Sequence, residues 1–332
     1  MLKRFFFAFT LCAALFAACK NDKTSQETTE TTASKIVKTP DFNADSAYAF
    51  IERQLAFGPR VPNTEAHRRG GDYLIAKLKQ YGAQVTVQSF VANTHDGKKL
   101  NARNIIGSIN PQAAKRILLA AHWDSRPEAD EDSLAANHKK GVPAANDGAS
   151  GVAVLLELAR SIQQSNLKPN VGIDIIFFDA EDWGDSSEAT DQYGGFCLGS
   201  QYWAANKHAP NYSAYYGILL DMVGAKNATF PKEGHSMQYA PSVVNNIWGI
   251  ASEMGYNRYF IDQVGQSITD DHLPVNTIAK IPMIDIIHHS NVPGNSTFFK
   301  DWHTLNDDMD NIDRATLKAV GQVLLQTLYR EE

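Results

Sequence analysis

The chain has 332 residues, 43% of them hydrophobic and 20% charged, with a formal net charge of −6 and a pI near 5.9. That is enough chain to bury a large core within one domain, and the acidic balance, with no basic stripe and no internal repeat, excludes an electrostatic nucleic-acid binder. Cysteine appears only as Cys12, Cys19 and Cys197; the first would leave with an amino-terminal signal and the second would be modified, which leaves Cys197 unpaired, excludes a disulfide framework and makes it a small buried hydrophobe.

Residues 1–18 read as a processing signal. Lys3 and Arg4 give a charged start, Phe5 to Phe16 is an apolar run too short to span a bilayer, and Ala17 and Ala18 precede Cys19. This ending resembles a bacterial lipoprotein signal, in which the cysteine becomes the lipidated first residue and would anchor the protein on the periplasmic side of a membrane. Phe16 departs from the pattern, since an aliphatic residue is usual there, and an ordinary cleaved signal peptide with a chance cysteine is the plainer alternative. Either reading implies export. Residues 19–40 are polar and rich in Thr, Glu and Lys; they cannot bury enough apolar surface to pack and are predicted to form a flexible tether. Residues 41–332 are read as one body.

Helical spacing recurs from Phe42 to Leu55 and from Tyr73 to Tyr81, and Val85–Val91 and Asn104–Ile109 read as strands. Arg116–Ala121 (RILLAA) and Ile173–Phe178 (IDIIFF) are apolar runs expected of strands covered on both faces. A third run ends at Leu219–Leu220 and a fourth spans Ile281–Ile287, with helix patterns at Ser150–Ile162, Pro241–Met254 and about Asp313–Leu328. The alternation predicts an α/β fold: a three-layer α/β/α sandwich with a mixed, largely parallel sheet and its ligand site at the strand carboxyl ends.

Polar residues collect after these runs. His122-Trp123-Asp124 follows RILLAA, Asp179-Ala180-Glu181-Asp182-Trp183 follows IDIIFF, Asp221 follows GILL, Asp147 precedes a helix, and Asp301-Trp302-His303-Thr304 comes near the end. Taken singly, Asp147 is a helix cap, Asp221 a turn residue and His303 a hydrogen-bonded surface histidine. The series is harder to dismiss, because several acids in one crevice are costly unless a cation neutralises them. Mixed His and carboxylate donors suit zinc, and an open coordination position would make such a site catalytic.

The ordered motifs FGPRVPNTEAHR (57–68), AHWDSR (121–126), NDGASGVAVLLELAR (146–160), FFDAEDWG (177–184), LLDMVGA (219–225), TDDHLP (269–274) and DWHT (301–304) resemble those of the M28 family of zinc peptidases and their relatives, the animal-type glutaminyl-peptide cyclotransferases. The resemblance implies Asp147, Asp182 and His303 as ligands of a principal zinc, one per chain, and Glu181 as general base. In the peptidases the positions of His122 and Asp221 bind a second zinc. Asp270, first of a paired acid where peptidases commonly have Ser, and Trp302 before the last ligand are cyclotransferase features. They imply Asp221 and Asp270 as catalytic acids and Trp183, Ile268 and Trp302 as walls of a glutamine slot. Two departures stand out: Asp182 replaces a Glu and Asp285 a His of the animal enzymes.

The activity so implied is conversion of an N-terminal glutamine of peptides or proteins to pyroglutamate with release of ammonia. The alternative is an exported aminopeptidase with two zincs. A non-catalytic binding module would be expected to have eroded ligands, and these are intact. An acidic stretch with Asp185, Glu188 and Asp191 suggests calcium, but its spacing is not that of an EF-hand and a solvated loop explains it.

Overall fold

The structure is a computed structural model that describes residues 36–332, apart from 186, 188, 189 and 290–297. The lipoprotein signal, most of the tether and Glu188 lie outside the described residues. Residues 36–40, read from composition as the tether's end, lie against the last helix, α8 (Arg314–Arg330): Gln322 Nε2 donates to Thr39 Oγ1 and to the Pro40 carbonyl, each at 3.0 Å. The Phe42 ring then fills the space that a side chain at Gly321 would take, where an added Cβ would come within 2.2 Å of it.

The apolar runs become the strands of one six-stranded sheet, ordered β1-β2-β4-β3-β5-β8. Its members are β1 (Gln84–Asn93), β2 (Lys99–Ile109), β3 (Arg116–His122), β4 (Gly172–Phe178), β5 (Tyr216–Asp221) and β8 (Met283–Ile287). The pairings β4–β3, β3–β5 and β5–β8 are parallel, and β1–β2 and β2–β4 are antiparallel. This is the mixed, largely parallel sheet that the sequence predicts. Strand side chains alternate between two covered faces. Ile117, Leu119, Ala121, Ile175 and Phe177 pack in one core with α1 (Ala44–Leu55), α3 (Ala149–Gln164), α6 (Pro241–Glu253) and α8. Leu118, Ala120, Ile176 and Phe178 pack in the other with Trp203 of α4 (Leu198–Ala205) and Val275.

Elements that periodicity did not show are α4, α5 (Gly234–Tyr239), a short parallel pair β6 (Phe230–Lys232) and β7 (Phe260–Val264), and the turn α7 (His272–Pro274). A second helix, α2, runs Glu65–Gln80 and so starts earlier than the expected Tyr73; Thr64 caps it by accepting the His67 N–H at 3.2 Å. β3 lies between β4 and β5, so the chain leaves its carboxyl end to one side and later returns on the other. Loops therefore diverge there and open a crevice.

Candidate active site

His122 ends β3 and is buried. Two residues on, the Asp124 carboxylate accepts the Glu181 N–H at 3.1 Å and the Asp182 N–H at 3.3 Å, so the loop after β3 holds the loop after β4. Asp147 stands before α3, but it is not the helix cap. The N-cap is Gly148 at φ 95°, with no side-chain cap bond. A Cβ there would lie 2.7 Å from the Asp124 carbonyl oxygen and 3.0 Å from His122 Cε1, so glycine suits both the conformation and the close approach. The buried carboxylate of Asp307 accepts the Asn146 N–H at 2.8 Å and the Asp147 N–H at 3.0 Å. This leaves the Asp147 side chain to face the crevice.

There Asp147 stands between two imidazoles. Its Oδ1 is 2.9 Å from His122 Nε2 and its Oδ2 is 3.6 Å from His303 Nε2. His303 Nε2 is also 3.1 Å from Asp182 Oδ1, and His122 Nε2 is 3.2 Å from Asp221 Oδ1. Two overlapping triads result, Asp147–Asp182–His303 and His122–Asp147–Asp221, each with one donor atom per residue and those atoms within 4.8 Å of one another. Asp182 Oδ2 is buried and has no hydrogen-bond partner among the described residues. An orphaned carboxylate oxygen beside imidazole nitrogens is what a metal ligand looks like before its cation is counted, so these residues fit a divalent metal. His303 itself, at φ 56°, and Ala180, at φ 55°, are both left-handed and show backbone held in a costly conformation at the site.

Glu181 and Asp270 line a cavity of about 260 Å³ beside the triads, with Phe196, Ile268, Phe298 and Trp302 among its apolar walls. That is near the low end for ligand pockets and suits one side chain more than an extended ligand. Trp302 stacks on His303 with ring centroids 3.6 Å apart and meets Phe298 at 4.8 Å. Trp183 is elsewhere. It packs with Phe90, Leu100 and Ala180, gives its indole N–H to Asp96 Oδ1 at 3.3 Å, and lies outside the residues lining this cavity.

Burial, reinforced by the neighbouring carboxylates of Asp182, Asp270 and Asp271, holds Glu181 well above the ordinary carboxyl range, against the opposing charge of His122. Burial and then the Asp221 charge push Asp270 up to about 7. Burial lowers His303, but the carboxylates of Asp182 and Asp130 outweigh it and carry the ring up to about 9. Two carboxyls raised above their ordinary range in a small cavity are equipped to exchange protons with what enters it.

Asp285 is buried in β8 and accompanies Asp270 and His272, one donor atom from each falling within the same 4.8 Å limit. Cys197 is buried as expected, with Sγ 3.6 Å from Glu181 Oε1. Asp191, in the acidic stretch, turns back on its own loop to accept the Tyr193 and Gly195 N–H groups at 2.8 and 3.0 Å. Sequence reasoning did not single out Asp307, Arg60, Arg126 or Asp130. Arg60 is buried and donates to the carbonyls of Trp123, Pro143 and Ala144, bracing the loops around Asp147. Its one signal was its place in FGPRVP.

The Peptidase family M28 profile matches residues 104–328. The chain belongs to peptidase family M28. Within the family it is similar to the glutaminyl-peptide cyclotransferase of Gloydius blomhoffii, 28% identical over 297 residues that span 80% of this chain and 75% of that protein. Among solved structures, Tannerella forsythia glutaminyl cyclase aligns at a TM-score of 0.84 with 53% identity, covering 88% of this chain and all of that one. A Zn-dependent exopeptidase from Parabacteroides distasonis aligns at a TM-score of 0.85 with 52% identity over 89% of this chain and all of that one. The mixed, mostly parallel sheet flanked by helices matches these solved structures.

Proposed function

We propose that this M28 protein is a zinc-dependent glutaminyl-peptide cyclotransferase that closes an N-terminal glutamine to pyroglutamate and releases ammonia. The observation that carries the reading is the pairing of a buried Asp147–Asp182–His303 triad that fits a metal with a cavity the size of one side chain, which Glu181 and Asp270, both raised in pKa, also line. Asp147, Asp182 and His303 would hold the zinc, which when bound supplies Lewis-acid polarisation of the substrate's γ-carbonyl. Ile268, Phe298 and Trp302 bind the glutamine side chain and exclude water. The α-amine attacks the carboxamide carbonyl carbon (Cδ) of its own side chain, so the nitrogen–carbon bond forms without a water nucleophile and gains the advantage of proximity. Glu181 accepts a proton from the amine and delivers it to the amide nitrogen as the carbon–nitrogen bond breaks. Asp270, whose carboxyl the Asp221 charge helps to raise, shares a proton with Asp221, and the pair orients that departing nitrogen.

The second triad supports a rival. His122, Asp147 and Asp221 would complete a two-zinc aminopeptidase in which Glu181 activates water. Two substrates separate the readings. Purified protein is given Gln-Ala and Leu-p-nitroanilide, with and without a heterocyclic chelator. Chelator-sensitive ammonia release without nitroaniline is expected; nitroaniline without ammonia would replace the cyclotransferase by the aminopeptidase.

A further inference from the structure

We propose that Arg126 and Asp130 form a clamp that positions Asp182 and His303 relative to each other as metal ligands. The inference rests on the zinc reading above and deepens it. Arg126 is 8% exposed. Its guanidinium Nη1 donates to the Gly184 carbonyl at 2.8 Å and lies 3.5 Å from Asp182 Oδ1. On its other edge Nε donates to Asp130 Oδ1 at 3.1 Å, and Nη2 donates to Asp130 Oδ2. Asp130 Oδ1 in turn lies 3.5 Å from His303 Nδ1, while His303 Nε2 lies 3.1 Å from Asp182 Oδ1. The contacts close a circuit: Asp182, Arg126, Asp130, His303 and back to Asp182. A backbone bond from the Glu131 N–H to the His303 carbonyl, at 3.2 Å, ties the same loop to the same ligand.

Each member has a distinct part. Asp130 at Nδ1 favours the proton there and so keeps the Nε2 lone pair turned toward Asp182 and Asp147, the usual service of a carboxylate behind a ligating histidine. The planar fork of Arg126 spans two loops that the chain joins through α3 and β4, and it does so with fixed angles that an ammonium cannot reproduce. Its charge offsets that of the buried acids, and the Phe196 ring, 5.5 Å from the guanidinium carbon, backs it. Neither residue lines the cavity beside Glu181, so both are positioning residues and not catalytic ones.

The test reads the metal, not turnover. Zinc-loaded wild type, Asp130→Ala, Asp130→Asn and Arg126→Lys are mixed with a chromophoric chelator and zinc release is followed; the cobalt-substituted proteins are compared by their visible d–d bands. Asp130→Ala is expected to weaken zinc retention roughly 10–100-fold and to shift the cobalt bands. Asp130→Asn keeps one acceptor for Nδ1–H and should lose less, roughly three- to tenfold, with Arg126→Lys also intermediate. The Asp130 side chain is 39% exposed, so the Asn variant is expected to fold even if another does not. Wild-type zinc release and cobalt bands in the Asn and Ala variants, with or without a lowered Tm, would reduce the clamp to a structural contact and overturn the proposal. Wild-type protein that takes up no zinc would sink the metal reading together with the clamp. Absence of ammonia from Gln-Ala with the clamp effects intact would overturn the cyclotransferase alone.

Discussion

Asp147 shows how one position acquires its role from its neighbours. A carboxylate ahead of a helix ordinarily caps it, but here Asp307 accepts the backbone N–H groups, glycine takes the N-cap, and the side chain is left to the imidazoles. Glu181 differs from its neighbour Asp182 in direction. Asp182 groups with Asp147 and His303, whereas Glu181 groups with Asp270 and Cys197, so the proposed function gives adjacent acids different work. Replacing Glu181 by Gln should therefore leave zinc content unchanged, read by atomic absorption, while ammonia release from Gln-Ala falls about 10²–10⁴-fold, the usual worth of a positioned acid–base group. A Gln variant that cyclises near the wild-type rate would remove Glu181 as the base. Trp302 touches the substrate's side of the site through its stack with His303 and Phe298. Trp302→Ala should raise KM about three- to tenfold, consistent with one aromatic contact; an unchanged KM would take the indole out of the slot.

At the scale of elements, what was legible followed burial. The four apolar runs became β3, β4, β5 and β8 because a strand covered on both faces must be apolar along its length. α2 was read from Tyr73 because its first turns, EAHRRGG, carry too few apolar residues to display a period, although Thr64 caps them. α4 and the β6–β7 pair are short, and tertiary contacts define them. The α5 end depends on one acid. Glu233 accepts the N–H groups of His235, Ser236 and Ile268 at 2.8, 2.6 and 2.8 Å and lies 3.1 Å from His272 Nε2. Burial opposes its ionisation, yet His272, Ser236 and the Ile268 N–H prevail and hold its carboxyl down to about 2. A depressed carboxyl stabilises the fold above its unfolded pKa, near 4.3, and loses that contribution as pH falls toward the folded value. Glu233→Gln should thus cost about 1–3 kcal/mol at pH 7 by urea unfolding, with the gap to wild type narrowing as pH drops below about 4. A gap independent of pH would mean that Glu233 acts through shape alone. Because Glu233 also anchors Ile268, a wall of the cavity, the variant links fold stability to substrate fit.

Across the whole molecule, the residues proposed to hold the metal were legible because each closes an apolar run or lies in a compact motif, and the M28 resemblance gave those positions their order. The supports were not. Asp130 meets His303 across 173 residues and Asp307 meets Asp147 across 160, and no local pattern marks partners joined only by folding. The amino-terminal segment poses the reverse case, since its meaning lies in sequence. Lys3, Arg4, the Phe5–Phe16 run and Ala17-Ala18-Cys19 carry the lipoprotein reading. Among the described residues no helix is long and apolar enough to cross a membrane. A diacylated cysteine supplies two chains, enough for stable anchoring where one is marginal. In cells making the full chain, metabolic labelling with a radioactive fatty acid should mark the protein and place it in the membrane pellet. Cys19→Ala should abolish the label and release the protein from the pellet, while ammonia release from Gln-Ala per mole of protein stays the same. Label retained by the Ala variant, or a wild type that carries none, would replace the anchor by ordinary signal-peptide cleavage.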